Sequence, residues 1–194
     1  TGGLSIIKTK QYNNGSVSGF KFEVRDSQNN LIGKYTSDST GRINIPDLQA
    51  GFYAVKEVEL SSDFVEPVPN PVTVEVKPGQ TASVSFDNIK KRGVLTVKKT
   101  NARPSMGDYS LAGAEFEVRD QGGNLVDTII TDSSGYGVSK VLSLGVYRVK
   151  ESKSPFGFAL DENTYTVTLS GAQGNAAIVY APEVSIAEQP QGGR

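Results

Sequence analysis

The first apolar alternation of the chain, Leu4, Ile6, Lys8, ends in a lysine on the face that buries its leucine and isoleucine. The same parity sets Glu57 beyond Tyr53 and Val55, and Asn88 beyond Val84 and Phe86. An amine, a carboxyl and a carboxamide are thus aimed into one apolar core from three segments. Low dielectric disfavours charge, so a buried lysine tends to release its proton and a buried glutamate to keep one. A neutral amine is a nucleophile. If it meets the side-chain carbonyl of Asn88, a protonated Glu57 can hydrogen-bond that carbonyl and shuttle protons as ammonia leaves. The predicted product is a Lys8–Asn88 isopeptide bond promoted by Glu57. Asp87 is the rival acceptor if the register slips by one residue, because neighbours face opposite sides, and Lys10 is the neighbouring alternative to Lys8. Asn88 is preferred because it shares parity with Phe86. A lysine at a strand end also has the plainer option of snorkelling to water.

The elements that must position these groups occur twice. GFKFEVRD…NL…DSTG…L..GFYAVKE, running from Gly19 to Glu57, recurs from Gly113 to Glu151 as GAEFEVRD…NL…DSSG…L..GVYRVKE at a constant offset of 94. Two copies without insertions between those anchors should share one fold. Period-two alternation through residues 4–6, 20–24, 53–55, 72–76 and 84–86, punctuated by turn clusters such as SQNN, DSTG and KPGQ, reads as short strands. The fold class is all-β: two tandem Ig-like antiparallel β-sandwich domains of about seven strands each. Their expected bounds are 1–92 and 93–194, joined at KKRG, a linker short enough to imply a semi-rigid rod. The second copy keeps Lys99 and Glu151, with Lys98 adjacent. Its final segment, AAIVYAPEV, sets Ala181 or Pro182 where an acceptor belongs. The second domain is therefore expected to lack an acceptor Asn and to hold Lys99 and Glu151 as an unbonded pair.

Composition narrows the alternatives. With no His and no Cys in 194 residues, the chain has no Ser-His-Asp or Cys-His arrangement, no ordinary zinc site and no disulfide. A net charge of −1 with scattered basic residues argues against a nucleic-acid partner. No apolar run reaches bilayer-spanning length, so no membrane insertion is expected in this segment. The acidic turns DSQNN, DSTG, DQGGN and DSSG lack the spacing of a calcium loop, and turn chemistry accounts for them; no metal and no cofactor are expected. Residues 101–110 and the Pro-rich residues 64–71 are candidate ligand contacts. The opening TGGLSI and closing QPQGGR suggest a piece of a longer tandem array.

Several of these motifs together resemble the B-type repeats of the collagen adhesin, the Cna-B or SpaA-like pilin domains of Gram-positive surface proteins. They are the opening GLSIIK, the GFKFEVRD segment, the DSTG turn, the G-x-Y-x-V-x-E strand, and YRVKESKSPFGF, which is similar to the family's E-box. The resemblance covers essentially the whole chain and implies a prealbumin-like fold. By position it implies that Lys8 is the bond-forming lysine, Asn88 the acceptor and Glu57 the catalytic acid. It further implies an extracellular structural stalk of a surface adhesin or pilin, anchored to the cell wall through regions outside this segment. Its partners would be neighbouring repeats and an extracellular host ligand. Bond formation is a single turnover, so the protein is not expected to be an enzyme. The alternative is an adhesin module that grips a host protein or glycan through its loops. No Leu-Pro-x-Thr-Gly sorting signal and no Tyr-Pro-Lys-Asn pilin motif occurs in the sequence, so polymerisation into a shaft through this segment is not expected.

Overall fold

The computed structural model describes residues 1–11, 15–102 and 109–191. Its contacts divide the chain into Thr1–Lys90 and Lys91–Arg194, two residues ahead of the expected division. No α-helix occurs among the described residues.

In the first unit the alternating segments become β1 (Gly2–Gln11), β2 (Lys21–Asp26), β3 (Leu31–Thr36), β4 (Arg42–Leu48), β5 (Gly51–Val58), β6 (Val72–Val76) and β7 (Thr81–Ile89). They form two sheets, β4-β1-β7 and β3-β2-β5-β6. Each contributes its apolar face to one core: Leu4, Ile6, Ile43, Ile45, Val84 and Phe86 from the first, Phe22, Val24, Tyr53, Val55 and Val76 from the second. The Tyr53 hydroxyl donates to the Gln49 carbonyl at 2.7 Å, which satisfies its polar end while the ring is buried.

One pairing departs from the expected all-antiparallel arrangement. β1 and β7 run parallel, from Gly3 opposite Thr81 to Gln11 opposite Ile89. Parallel neighbours need a long crossover, and here β2 to β6 supply it. The chain returns to the first sheet at the end where it began, with the Gly79 amide donating to the Thr1 carbonyl at 2.9 Å. It leaves at the other end, where the Lys90 amide donates to the Gln11 carbonyl at 3.0 Å.

The second unit repeats the plan with interruptions. β8 (Arg92–Val94) and β9 (Thr96–Asn101) together stand for β1, broken at Leu95. Ser139 fills the break: its hydroxyl accepts from the Leu95 amide at 2.9 Å and its amide donates to the Leu95 carbonyl at 2.9 Å. β10 (Glu115–Arg119), β11 (Leu125–Ile130), β14 (Gly145–Lys153) and β15 (Thr164–Leu169) build the sheet β11-β10-β14-β15. β12 (Tyr136–Val138) and β13 (Leu142–Ser143) flank the opening strands, and β16 (Ile178–Tyr180) and β17 (Val184–Glu188) close the domain in the sheets β13-β8-β16 and β12-β9-β17. Pro182, with no N–H to offer a ladder, falls between β16 and β17. The closing strands again run parallel to the opening ones.

Candidate functional site

At the end of the first core, where Phe20, Phe22 and Phe86 gather, the three residues singled out by parity converge. Lys8, Glu57 and Asn88 are 1%, 3% and 1% exposed. β1 and β7 set Lys8 opposite Phe86, so Asn88 lies two residues further along on the same face. β2 and β5 set Glu57 opposite Phe22. The Lys8 amine is 3.6 Å from Glu57 Oε2 and 4.6 Å from the Phe20 ring centroid, and it donates to the carbonyls of Thr9 at 3.0 Å and Phe86 at 3.4 Å.

Asn88 is the anomaly. Neither its Nδ2 nor its Oδ1 has a hydrogen-bond partner, and neither does either oxygen of Glu57. A buried polar group left unmatched costs about 1–3 kcal/mol, so such a cluster calls for an explanation beyond packing. Burial also moves the protons. It lowers the Lys8 pKa to about 8, with the nearby Glu57 raising it back only in part. It pushes Glu57 above the ordinary glutamate range, against the opposing pull of Lys8 and of the Asn88 carboxamide, which lies close enough to Glu57 to act on it without forming a hydrogen bond of good geometry. About a tenth of Lys8 is then neutral at pH 7, against well under a thousandth for a free lysine. Chemically the site holds a partly neutral amine, a carboxyl inclined to keep its proton, and a carboxamide with nothing else to bond.

Asp87, the rival acceptor, does not converge with them. Asp87 faces out and accepts from Thr9 Oγ1 at 2.9 Å and Gln11 Nε2 at 2.7 Å. Lys10, the alternative amine, shares the face of Lys8, stands opposite Asn88 in the ladder and also has a buried amine without a hydrogen-bond partner, but it is the Lys8 amine that lies beside Glu57.

Two supports are absent from the sequence reading. Asn70 clips the backbone of Glu57 from both sides: its Oδ1 accepts from the Glu57 amide at 2.9 Å and its Nδ2 donates to the Glu57 carbonyl at 3.0 Å. Within the Pro-rich residues 64–71, Asn70 thus supports the site, and Phe64 is buried against Phe20 at 5.6 Å between ring centroids, while Glu66, Val68, Pro69 and Pro71 are exposed. The other candidate loop, residues 101–110, lies mostly outside the described residues. Gly41 is the second support. Its φ of +78° suits glycine, its carbonyl accepts from the Lys8 amide at 2.7 Å, and a Cβ there would be driven into the Lys8 carbonyl. The DSTG turn is thus a clamp on the lysine strand.

The second domain has the same clamp at Gly135, with φ +83° and a carbonyl that accepts from the Lys99 amide at 2.8 Å. Lys99 and Glu151 are 0% and 2% exposed, and the amine donates to Glu151 Oε2. Burial lowers the Lys99 pKa against the opposing effect of Glu151, and burial raises that of Glu151. Lys98, by contrast, faces out, donating to the Ser134 carbonyl at 2.7 Å with its amine 3.8 Å from the Tyr136 ring centroid.

The expectation that Ala181 or Pro182 faces Lys99 is overturned. The strand beside β9 is β17, which sets Ile186 opposite Lys99 and Glu188 two residues on, the relation that Phe86 and Asn88 bear to Lys8. Glu188 is 1% exposed and its Oε1 contacts the Lys99 amine. An asparagine is missing at this position, as expected, but a buried carboxyl stands in its place.

Comparison with known proteins gives concordant results. The SpaA prealbumin-like fold domain matches twice, over residues 2–90 and 93–182. The trypsin-resistant surface T6 protein of Streptococcus pyogenes serotype M6 is 39% identical over 64 residues, covering 33% of this chain and 12% of that protein. Serine-aspartate repeat-containing protein F of Staphylococcus epidermidis is 25% identical over 164 residues, 75% of this chain and 9% of that protein. Among solved structures, the Bacillus anthracis TIE protein superposes with a TM-score of 0.78 at 25% identity, over 97% of this chain and 34% of its own. The chain thus spans about a tenth of the curated relatives' length and a third of that solved chain.

Proposed function

Because both halves of the chain belong to the SpaA prealbumin-like fold family, we propose that it is a load-bearing spacer of a Gram-positive surface adhesin or pilin, with its first domain closed by a Lys8–Asn88 isopeptide bond. The observation that carries this reading is the buried, unpartnered carboxamide of Asn88 beside Lys8 and Glu57. The neutral Lys8 Nζ attacks Asn88 Cγ, and the carbonyl oxygen, gaining negative charge, is met by the protonated Glu57. A proton from the Lys8 nitrogen passes through Glu57 to Asn88 Nδ2. The Cγ–Nδ2 bond breaks, ammonia leaves, and Glu57 ends protonated as it began. Nothing external is consumed, and no second turnover is possible.

The topology gives that bond a mechanical meaning. Because β1 and β7 are parallel neighbours, tension on Thr1 and Lys90 shears one strand along the other. A bond between Lys8 and Asn88 diverts the load across the pair, and the residues between them carry none of it. The site therefore lies on the force path of the domain. Neighbouring repeats of the same long protein are the partners this role requires, and the bacterial cell surface is its setting.

Intact mass tests the chemistry. The wild-type chain should be lighter than its sequence by at least the mass of one ammonia attributable to the first domain, and Glu57→Ala should restore it. A wild-type peptide map with free Lys8 and Asn88 overturns the reading.

A further inference from the structure

One cluster in the second domain brings together three buried ionisable side chains, Lys99, Glu151 and Glu188, none more than 2% exposed. One ammonium cannot offset two carboxylates in a dry core. The full set carries a net negative charge where desolvating a single ion already costs several kcal/mol. Domains of this size tolerate such a cluster only if protons are redistributed or charges removed. Glu188 occupies the register position of Asn88, two residues beyond the one opposite the lysine, on the last strand and parallel to the lysine strand. Glu151 occupies the position of Glu57, paired to Phe116 as Glu57 is to Phe22. The Lys99 amine touches both carboxyls and lies 4.5 Å from the Phe116 ring centroid. The geometry that surrounds the amide acceptor in the first domain is reproduced around an acid in the second.

We propose that Glu188 is the acceptor of a second intramolecular cross-link, a Lys99–Glu188 amide formed by dehydration with Glu151 as its proton shuttle. This rests on the reading of these domains as self-cross-linking and extends it to an acceptor of different chemistry. Starting from the ammonium and the Glu188 carboxylate, Lys99 passes a proton through Glu151 to a Glu188 oxygen. The freed amine then attacks Glu188 Cδ, the N–C bond forms, and one C–O bond breaks. That oxygen leaves as water with the two protons that nitrogen gives up, and the nitrogen keeps one. Glu151 finishes in the state in which it started. One positive and one negative buried charge disappear into a neutral amide, and Glu151 remains as its buried neighbour. The two domains thus differ in what they release, ammonia from the first and water from the second.

That difference makes the two readings separable in one experiment on the full chain. Intact mass should fall short of the sequence by one ammonia and one water. Tryptic mapping should join the peptide carrying Lys99 to the one carrying Glu188. Glu188→Ala should restore the water and leave the ammonia deficit in place. Glu188→Gln, which offers a carboxamide, should exchange the lost water for a second lost ammonia. A wild-type deficit of one ammonia alone, with Lys99 cleavable by trypsin, overturns this inference and leaves the first domain's bond standing. A deficit of one water alone sinks the first and supports the second. Should the Glu188 variants fail to fold, the wild-type peptide map still decides, and a cross-link from Lys99 to any other acid also refutes the proposal.

Discussion

Replacing Asn88 by alanine removes the acceptor while leaving the lysine, the glutamate and the two sheets intact. A Lys8–Asn88 bond encloses a ring of about 80 residues, and the chain-entropy relation for a cross-link of that span gives about 4.5 kcal/mol. By contrast, losing one ordinary buried hydrogen-bonding group costs about 1–2 kcal/mol. For a domain of this size each kcal/mol moves the melting midpoint by about 4–8 °C, so the first domain should melt about 20–35 °C lower in Asn88→Ala. Differential scanning calorimetry on the full chain reads this directly, with the second domain's transition as an internal reference. Asn88→Asp is the control. It retains an electrophilic carbonyl in the same place, so it should form the bond by losing water and keep most of the stability. If Asn88→Ala lowers the midpoint by less than about 10 °C, or Asn88→Asp falls as far as the alanine variant, the cross-link argument fails.

The pH response of Asn88→Ala should carry the signature of an unbonded lysine. With the folded pKa lowered to about 8 from 10.5, the unfolded chain holds a proton the folded one has released between those values. Stability of the variant therefore rises with pH across that window, by about 3 kcal/mol, while the bonded wild type shows no such rise because an amide does not titrate there. In acid the raised pKa of Glu57 acts oppositely, and the variant loses stability as pH climbs from 4.5 through that pKa. Urea midpoints measured from pH 4 to pH 10.5 test both limbs. Gly41→Ala should destabilise the first domain by more than about 2 kcal/mol, since it combines a left-handed φ with a collision against the Lys8 carbonyl. Its denaturant midpoint should drop, and a measurable fraction of the chain should retain its ammonia.

Much of the first site was legible because strand parity is a strict rule. Once Leu4 and Ile6 are inside, Lys8 must follow, and the choice of Asn88 over Asp87 rests on the same count; the structure sets Asp87 outward beside Thr9 and Gln11. The parallel pairing of β1 and β7 was not legible, because alternation fixes which face a residue takes and says nothing of strand direction. Glu188 was missed for a related reason. The offset of 94 holds from Gly19 to Glu57, but Lys8 and Lys99 are 91 apart, and Asn88 and Glu188 are 100 apart. Loop insertions shift register between strands without disturbing the alternation within them. Following the VSIAE alternation itself, in which Val184, Ile186 and Glu188 share a face, would have led to the acid. Asn70 escaped notice because its role is set by the tertiary return of a loop onto β5, which leaves no periodic trace.

The claim that the first domain bears load through a covalent tie is tested most directly by stretching the full chain between its ends and recording the length released as domains open. With the Lys8–Asn88 bond in place, the residues it encloses stay folded back, and the first domain should yield no extension beyond its few terminal residues. Asn88→Ala should add a step of about 270 Å, from roughly 80 residues at about 3.3–3.6 Å each. A wild-type record that already contains the step assigned to the first domain by that variant would contradict the account.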